Sequence, residues 1–355
     1  MTHAIRKLRT AVVGVGQAGK QEGSPTGGAF RIGHAHARAY GASSRFELVA
    51  GADINADNLA FFRETFGVQG YPSLQAMLDA ANPDVVSICT YVGLHMSMIE
   101  ACAASGVKGV VCEKPFVTSP AELKQLRKIV RSSGIKVIVP HRRRYLPAFA
   151  RACEIYASGE IGARVCVTAA IGDGWDLSEW GSHWLDMFRF FHGDTMPEWV
   201  MGQARVRGRR GFGHAMEDHA VAVMQFPGGG RAVLDVGPSY LPEGANMVLT
   251  GTEGMIIVRN ERELRIFGAQ GERREDYSAQ YDYVAIWSRM FDTLADWISG
   301  GPAPALAFDH VAGTAELNLA CYLSMVEGDR IDFPLTSEYD EWPVEELARR
   351  KAGKR

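Results

Sequence analysis

From Thr10 to Pro140, short apolar runs rich in β-branched residues alternate with stretches where apolar residues recur every three or four positions. The runs Thr10–Gly14, Leu48–Asp53, Val85–Cys89, Val110–Cys112 and Lys136–Pro140 predict strands. The stretches Asn58–Phe66, Leu74–Ala81, Met96–Ala104 and Pro120–Ser132 predict amphipathic helices. Strands that alternate with helices make βαβ units. Several of these strands are apolar on both faces, as parallel strands are when helices cover both sides of a sheet. Residues 1–140 therefore read as an α/β domain built on a doubly wound parallel sheet.

After His141 the rhythm changes. One helix, Pro147–Ser158, is followed by strand-like runs at Ala163–Ile171, Glu198–Arg205, Ala220–Gln225, Ala232–Val236, Met247–Thr250 and Met255–Val258. Glycine clusters such as Gly228-Gly229-Gly230 separate several of them. Many strands with little helix between them predict a large, mostly antiparallel sheet, so residues 141–335 read as an α+β domain. Two helical stretches close it, Tyr283–Ser299 and His310–Val326. Residues 336–355, with their basic end, read as a C-terminal tail.

Composition narrows the function. The 355 residues suffice for two cores, and 46% hydrophobic with 22% charged residues is ordinary for a globular enzyme. A formal charge of -3 offers no basic footprint for nucleic acid. The sequence holds no apolar run near the roughly 18 residues of a membrane span, and Met1–Thr10 lacks the apolar core of a signal peptide, so the expected address is cytoplasmic. The six cysteines form no CxxC pair, and their spacing predicts neither zinc nor any other metal.

The first strand runs into Gly14-Val15-Gly16-Gln17-Ala18-Gly19, a GxGxxG turn that lets backbone approach a pyrophosphate at a helix N-terminus. Residues from Lys20 to Phe30 carry too many breakers to continue a helix, whereas a good helix begins at Arg31. Residues 17–30 thus read as a loop insertion, with Gly33 taking the third glycine's packing role. With that loop removed, Asp53 falls near the roughly 20-residue spacing of a ribose-binding acid. A carboxylate there accepts both ribose hydroxyls and repels a 2′-phosphate, which favours NAD over NADP. The plainer role for Asp53 is an N-cap of the next helix.

At the end of a later strand stands Glu113-Lys114-Pro115, on the carboxyl edge where parallel sheets bind ligands. A lysine at this edge holds a substrate hydroxyl and stabilises the alkoxide-like oxygen that develops as hydride leaves. A surface ion pair is the alternative.

The chain resembles the Gfo/Idh/MocA family, which includes glucose–fructose oxidoreductase and inositol dehydrogenase. The resemblance rests on Gly14-x-Gly16, Gly33-x-x-His36-Ala37-Arg38-Ala39-Tyr40, Asp53, Glu113-Lys114-Pro115, His141-Arg142-Arg143-Arg144-Tyr145-x-Pro147-Ala148-Phe149 and Gly181-x-His183-x-x-Asp186. It implies a Rossmann domain followed by an open-faced sheet, often buried in a homodimer or homotetramer. It also makes Lys114 the family's lysine and His183 its catalytic histidine, with Glu179 where an aspartate is usual. Read as one helix, residues 179–191 put Glu179, His183 and Asp186 on a common face. Histidine suits the base that takes a hydroxyl proton, and neighbouring carboxylates tune it.

The expected cofactor contacts are Gly14, Gly16, Gly33, Asp53, Thr90, His95, Glu113 and Lys114. The expected substrate contacts are Tyr91, Arg142, Tyr145, Trp175, Asp176 and His183. For Tyr91 and His95 the ordinary alternative is a helix start; for Arg142 and Arg144, ion pairing; for the tryptophans around His183, core packing. The reading that follows is an NAD(H)-dependent oxidoreductase acting on a hydroxyl carbon of a sugar, inositol or related polyol. Two others stand beside it: a glycoside hydrolase that uses bound NAD for transient oxidation and elimination, and a non-catalytic nucleotide-binding regulator.

Overall fold

The structure, a computed structural model, describes residues 6–16, 32–238 and 245–352. Six parallel strands form the first sheet: β1 (Leu8–Val13), β2 (Phe46–Ala52), β3 (Gln69–Tyr71), β4 (Val85–Ile88), β5 (Gly109–Cys112) and β6 (Lys136–Ile138), in the order β3-β2-β1-β4-β5-β6. This is the doubly wound arrangement, and its order reverses between β1 and β4. Strands β4 and β5 are buried along their whole length, as their uniform apolar character predicts. Between strands run α1 (Ile32–Ala42), α2 (Ala56–Phe66), α3 (Leu74–Ala81), α4 (His95–Ala104) and α5 (Pro120–Ser133). Local chemistry sets their ends. Asn55 caps the N–H groups of Asp57 and Asn58, while Gly67 and Asn82 close α2 and α3 in the left-handed conformation.

The second sheet has nine strands. After α6 (Pro147–Ser158) come β7 (Arg164–Ile171), α7 (Ser182–Phe191), β8 (Trp199–Arg205), the small hairpin β9 (Arg210–Gly211) and β10 (His214–Ala215), then β11 (His219–Gln225), β12 (Arg231–Val236), β13 (Ala245–Gly251), β14 (Met255–Arg259), β15 (Glu263–Gly268) and β16 (Gly271–Asp276). Two helices, α8 (Tyr283–Ile298) and α9 (Phe308–Glu327), precede β17 (Ile331–Asp332) and α10 (Pro343–Ala352). The sheet order is β16-β15-β14-β13-β7-β12-β11-β8-β17; every pairing is antiparallel except β7 with β12. Side chains alternate across it: Ala220, Ala222 and Met224 are buried while Val221 and Val223 are half-exposed, and β12 repeats the pattern. Helices α6 and α7 pack on this sheet, and α9 lies against β8 at Gly202, where an added Cβ would meet Met325 and the Cys321 carbonyl.

The chain divides into two compact units that differ from the contiguous domains expected. Met1–Val117, Lys124–Pro140 and Asp282–Val311 form one; Thr118–Leu123, His141–Tyr281 and Ala312–Arg355 form the other. Helix α8 returns to the first unit, where Trp287 and Phe291 pack on His36 and Phe291 also packs on Tyr40. Ser43 donates to Asp292 across the same contact at 2.5 Å. Periodicity shows that residues 283–299 are helical and amphipathic; it does not say which sheet receives them. The stretch expected as a tail contains α10. The expected insertion at 17–30 lies outside the described residues.

Candidate active site

At the switch point of the first sheet, β1 ends in Gly14 at φ +80° and Gly16 at φ +98°. A Cβ on Gly14 would lie 2.7 Å from the Cys89 carbonyl oxygen and 2.9 Å from Thr90 Cγ2. A Cβ on Gly33 would lie 2.8 Å from the Gly14 carbonyl oxygen. Gly33 thus lets α1 press directly on the turn after β1, the role expected of it. Asp53, at the end of β2, accepts the Gly16 N–H at 3.3 Å through Oδ2, and Asn55 N–H and Asn58 Nδ2 through Oδ1. The cap of α2 falls to Asn55, which leaves Asp53 facing the glycine turn. Thr90 follows β4; its carbonyl accepts His95 Nε2 at 3.0 Å, and His95 is buried at the start of α4. Tyr91 is 52% exposed. These features fit a dinucleotide: small residues where a pyrophosphate approaches, and a pinned carboxylate for a ribose.

Beneath Lys114 lies a buried polar chain. Glu113 Oε1 sits 3.0 Å from His36 Nε2, His36 Nδ1 is 2.9 Å from Ser87 Oγ, and the Tyr40 hydroxyl is 2.7 Å from the same Ser87 oxygen. Glu113 Oε2 accepts the Lys114 N–H. Burial by itself would raise the Glu113 carboxyl, but the hydrogen bond and charge of His36, joined by Lys114, hold it below the usual range. An ionised Glu113 therefore anchors the backbone from which Lys114 projects. The alternative of a surface ion pair does not describe Glu113, which is buried.

In the second unit, the segment expected as one helix is two. Leu177–Gly181 is a π-turn capped by Asp176, whose Oδ1 accepts the Glu179 N–H, and α7 starts only at Ser182. A π-turn closes every five residues, so the α-helical alignment of Glu179 over His183 does not carry across the junction. His183 is 9% exposed; its ring meets Trp180 edge-on at 5.6 Å and His141 edge-on at 5.7 Å. Glu179 Oε1 lies 3.6 Å from His214 Nε2. Asp186 is fully buried, and Arg144 grips both of its oxygens at 2.7 and 3.0 Å while the Thr314 hydroxyl donates to it at 3.1 Å. Burial pushes the Asp186 carboxyl up, but Arg144 and His141 outweigh it and hold it low. Its carboxylate is thus committed to the arginine turn.

That turn, Arg142–Tyr145, uses its charges structurally. Arg142 and Arg143 share the Glu261 carboxylate, each at 2.7 Å, and the Arg143 guanidinium stacks 4.1 Å over Trp184. Arg144 adds Asp194 to its grip on Asp186. Tyr145 closes the turn, half-buried. Trp175 stacks on Trp180 at 4.8 Å, lies parallel to Phe212 at 6.4 Å and stays half-buried. Asp176 is buried within a set of acidic groups; burial, then the charges of Glu217 and Glu179, push its carboxyl up to about 8.

Several participants carry no functional signal in the sequence. His36 lies inside a recognisable motif, but its partner Glu113 is 77 positions away. Arg143 likewise lies inside a motif, but its partner Glu261 is far along the chain. His214, Glu217, Glu261 and Asn318 give no local signal at all, because their partners are reached only through sheet pairing and helix packing.

Comparison with known proteins supports the same assignment. Residues 8–141 match the model of an oxidoreductase family with an NAD-binding Rossmann fold, and residues 149–257 match the Gfo/Idh/MocA C-terminal domain. A D-apiose dehydrogenase of Paraburkholderia graminis is 26% identical over 81% of this chain and 83% of its own. An inositol 2-dehydrogenase of Rhizobium meliloti is 27% identical over 69% of this chain and 78% of its own. Among solved structures, a levoglucosan dehydrogenase complexed with NADH and levoglucosan superposes with a TM-score of 0.76 at 20% identity, over 93% of this chain and 100% of that one. At that identity the likeness is one of fold.

Proposed function

We infer, because this chain belongs to the Gfo/Idh/MocA family of NAD-binding oxidoreductases, that it moves hydride between the nicotinamide and a hydroxyl-bearing carbon of a sugar, inositol or related polyol. The observation that carries the reading is the carboxyl edge of the first sheet, where Gly14, Gly16 and Gly33 clear a path for backbone and Asp53 is pinned by the Gly16 N–H. NAD, when bound, supplies the hydride acceptor; the remaining work falls to this chain's side chains. Asp53 accepts ribose hydroxyls and disfavours a 2′-phosphate. Glu113 holds the Lys114 backbone, and Lys114 polarises the reacting oxygen. His183 takes the hydroxyl proton on its imidazole and returns it in the reverse direction.

Relatives named for apiose, inositol and levoglucosan share polyhydroxylated rings, which is the basis for the substrate class. Tyr91, with its exposed ring, and the half-buried Trp175 and Tyr145 are the side chains here with surface to offer such a ring. Arg142 contributes less, since its guanidinium already serves Glu261. Glu179 acts on the π-turn and Asp186 on the arginine turn, each by position. The half-exposed Val221, Val223, Val233 and Val248 beside exposed Met201 give the second sheet an apolar open face, which a second copy of the chain would cover. Six free thiols suit a reducing compartment such as the cytoplasm.

The test is NADH formation across a panel of sugars, inositols and uronic acids, with wild type beside His183→Ala and Lys114→Ala. A signal with NAD, weaker with NADP, that falls about a hundredfold or more in both variants supports the roles, this being the usual worth of a positioned acid or base. Nucleotide binding should survive in His183→Ala. Full activity in both variants would remove the assignments.

A further inference from the structure

Between β8 and β11 the chain detours through the β9–β10 hairpin, and this detour brings three side chains against the loop ahead of α7. Phe212, held at φ +50°, lies parallel to Trp175. Glu217 Oε1 accepts the Leu177 N–H at 2.5 Å, and its Oε2 accepts the Tyr322 hydroxyl at 2.9 Å. Asn318 donates to the Leu177 carbonyl at 3.0 Å, so both polar groups of the first π-turn residue are pinned by distant side chains. The third side chain, His214, has no exposed surface.

His214 Nδ1 stands 2.7 Å from the Ala215 carbonyl oxygen. A carbonyl accepts and never donates, so Nδ1 carries a proton. Nε2 faces two carboxyl groups, Glu179 Oε1 at 3.6 Å and Asp176 Oδ2 at 3.8 Å, and a proton there gains Glu179 as an ionic partner and Asp176 once that group ionises. The geometry therefore selects the imidazolium. Other charged groups frame it: Glu217 beyond β10, and Glu345 of α10, which binds Arg210 through two contacts and accepts the Ala215 N–H. Trp342 places its ring 4.2 Å from that of His214. The segment expected as a tail is thus what backs the hairpin.

We propose that His214 is a positioning residue: as an imidazolium it ties Asp176 and Glu179 across the start of the π-turn and thereby fixes Trp180 against the His183 ring. Its consequence for turnover rests on His183 being the acid–base group; its consequence for the turn does not. Burial disfavours the His214 cation, but Glu179 and Asp176 outweigh burial and raise it above the ordinary histidine range. At mildly acid pH the tie runs to Glu179, because the Asp176 carboxyl, raised to about 8, still holds its proton. Asp176 joins as it ionises, and the tie is lost once pH climbs through the raised His214 value and leaves carboxylates facing a neutral ring.

The stacked Trp175–Trp180 pair provides a direct reading. Near-UV circular dichroism is recorded from mildly acid to alkaline pH for wild type, Glu345→Gln and His214→Gln, each minus its Trp175→Phe counterpart, which isolates that pair. The wild-type difference band should fade as pH rises. Glu345→Gln, on a partly exposed side chain, should move the midpoint to lower pH by removing a facing negative charge. His214→Gln should begin with a weakened band that no longer responds to pH. Its kcat should fall roughly tenfold to a hundredfold, the scale of a reacting group displaced by up to about 1 Å, with NAD affinity kept. A His214→Gln band of wild-type strength and midpoint overturns the proposal. If that variant does not fold, an unchanged midpoint in Glu345→Gln overturns it instead. Loss of all polyol turnover in wild type would strike the proposed function and leave the spectroscopic test of His214 intact.

Discussion

At Gly33 an added Cβ would sit 2.8 Å from one backbone oxygen and 3.0 Å from Val15 Cα, atoms that cannot step aside as a side-chain tip can. Gly33→Ala must therefore push α1 off the glycine turn, at a cost of about 1–3 kcal/mol for an overpacked contact. Expect a lower melting temperature and NAD affinity weakened about tenfold or more, read by thermal melts and calorimetric titration. Asp186→Asn makes the opposite error, since it leaves the buried Arg144 charge with Asp194 alone; breaking a buried pair costs about 3–5 kcal/mol. Chemical denaturation should show that loss, and an unchanged midpoint would mean that Asp194 alone satisfies Arg144. Both residues stand out in the sequence, but for different reasons. Gly33 is legible because its role is local, a small residue at a fixed distance from a strand. Asp186 reads as a catalytic partner of His183; its carboxylate also holds Arg144, and i,i+3 spacing says nothing about an arginine 42 positions away.

The same limit governs the elements. Regular periodicity makes the strands and helices of the first sheet legible to within a few residues. It misses β3, β15 and β16, which are short or heavily charged: Gly271–Asp276 carries no apolar alternation because an edge strand needs none. The π-turn at Leu177–Gly181 reads as α-helix, since its extra residue is held by Asp176, Glu217 and Asn318 rather than by any feature of its own sequence. Chain order places helix α8 in the wrong unit for a related reason. A fragment ending at residue 140 would bare His36 and Tyr40 where α8 packs; the Tyr40 ring meets Phe291 at 4.8 Å and Phe46 edge-on at 5.1 Å. Such a fragment should bind hydrophobic dye and aggregate, and fusing residues 282–311 to it should restore a monodisperse species in size-exclusion chromatography. A fragment that folds cleanly without them would show that α8 is an accessory.

At the scale of the whole molecule, buried charge sets a window of stability. Glu113, Asp186 and Glu261 have carboxyls held below their ordinary range by cationic partners, so their contribution is present above that range and lost as pH falls through the depressed values. Asp176, raised to about 8, works the other way: its contribution is lost as pH rises from the ordinary carboxylate range towards that value. Glu217, also raised by burial, adds to the alkaline loss. Melting temperature should therefore peak on the acid side of neutrality, and Asp176→Asn should flatten the alkaline fall alone. A wild-type profile flat across that limb would mean that the acidic set is relieved in another way. The open face of the second sheet makes a separate prediction: Val223→Lys, a half-exposed position on that face, should shift the protein towards monomer in light scattering while leaving the fold intact.

By itself the sequence determined the alternation that makes a doubly wound sheet and the glycine turn with its downstream aspartate, and it raised the expectation that the Glu113-Lys114 pair and His183 carry chemistry. These are short-range facts, set by backbone sterics, by the period of apolar positions and by the charge a side chain carries. The tertiary structure decided which carboxylate serves which cation, which unit claims α8, and that the hairpin with His214 and α10 backs the π-turn beside His183. Those choices depend on groups as far apart as Ser43 and Asp292, 249 positions, which meet only once the sheet has paired and the helices have packed. Charge–charge attraction acts through space, so a chain read in order does not reveal it.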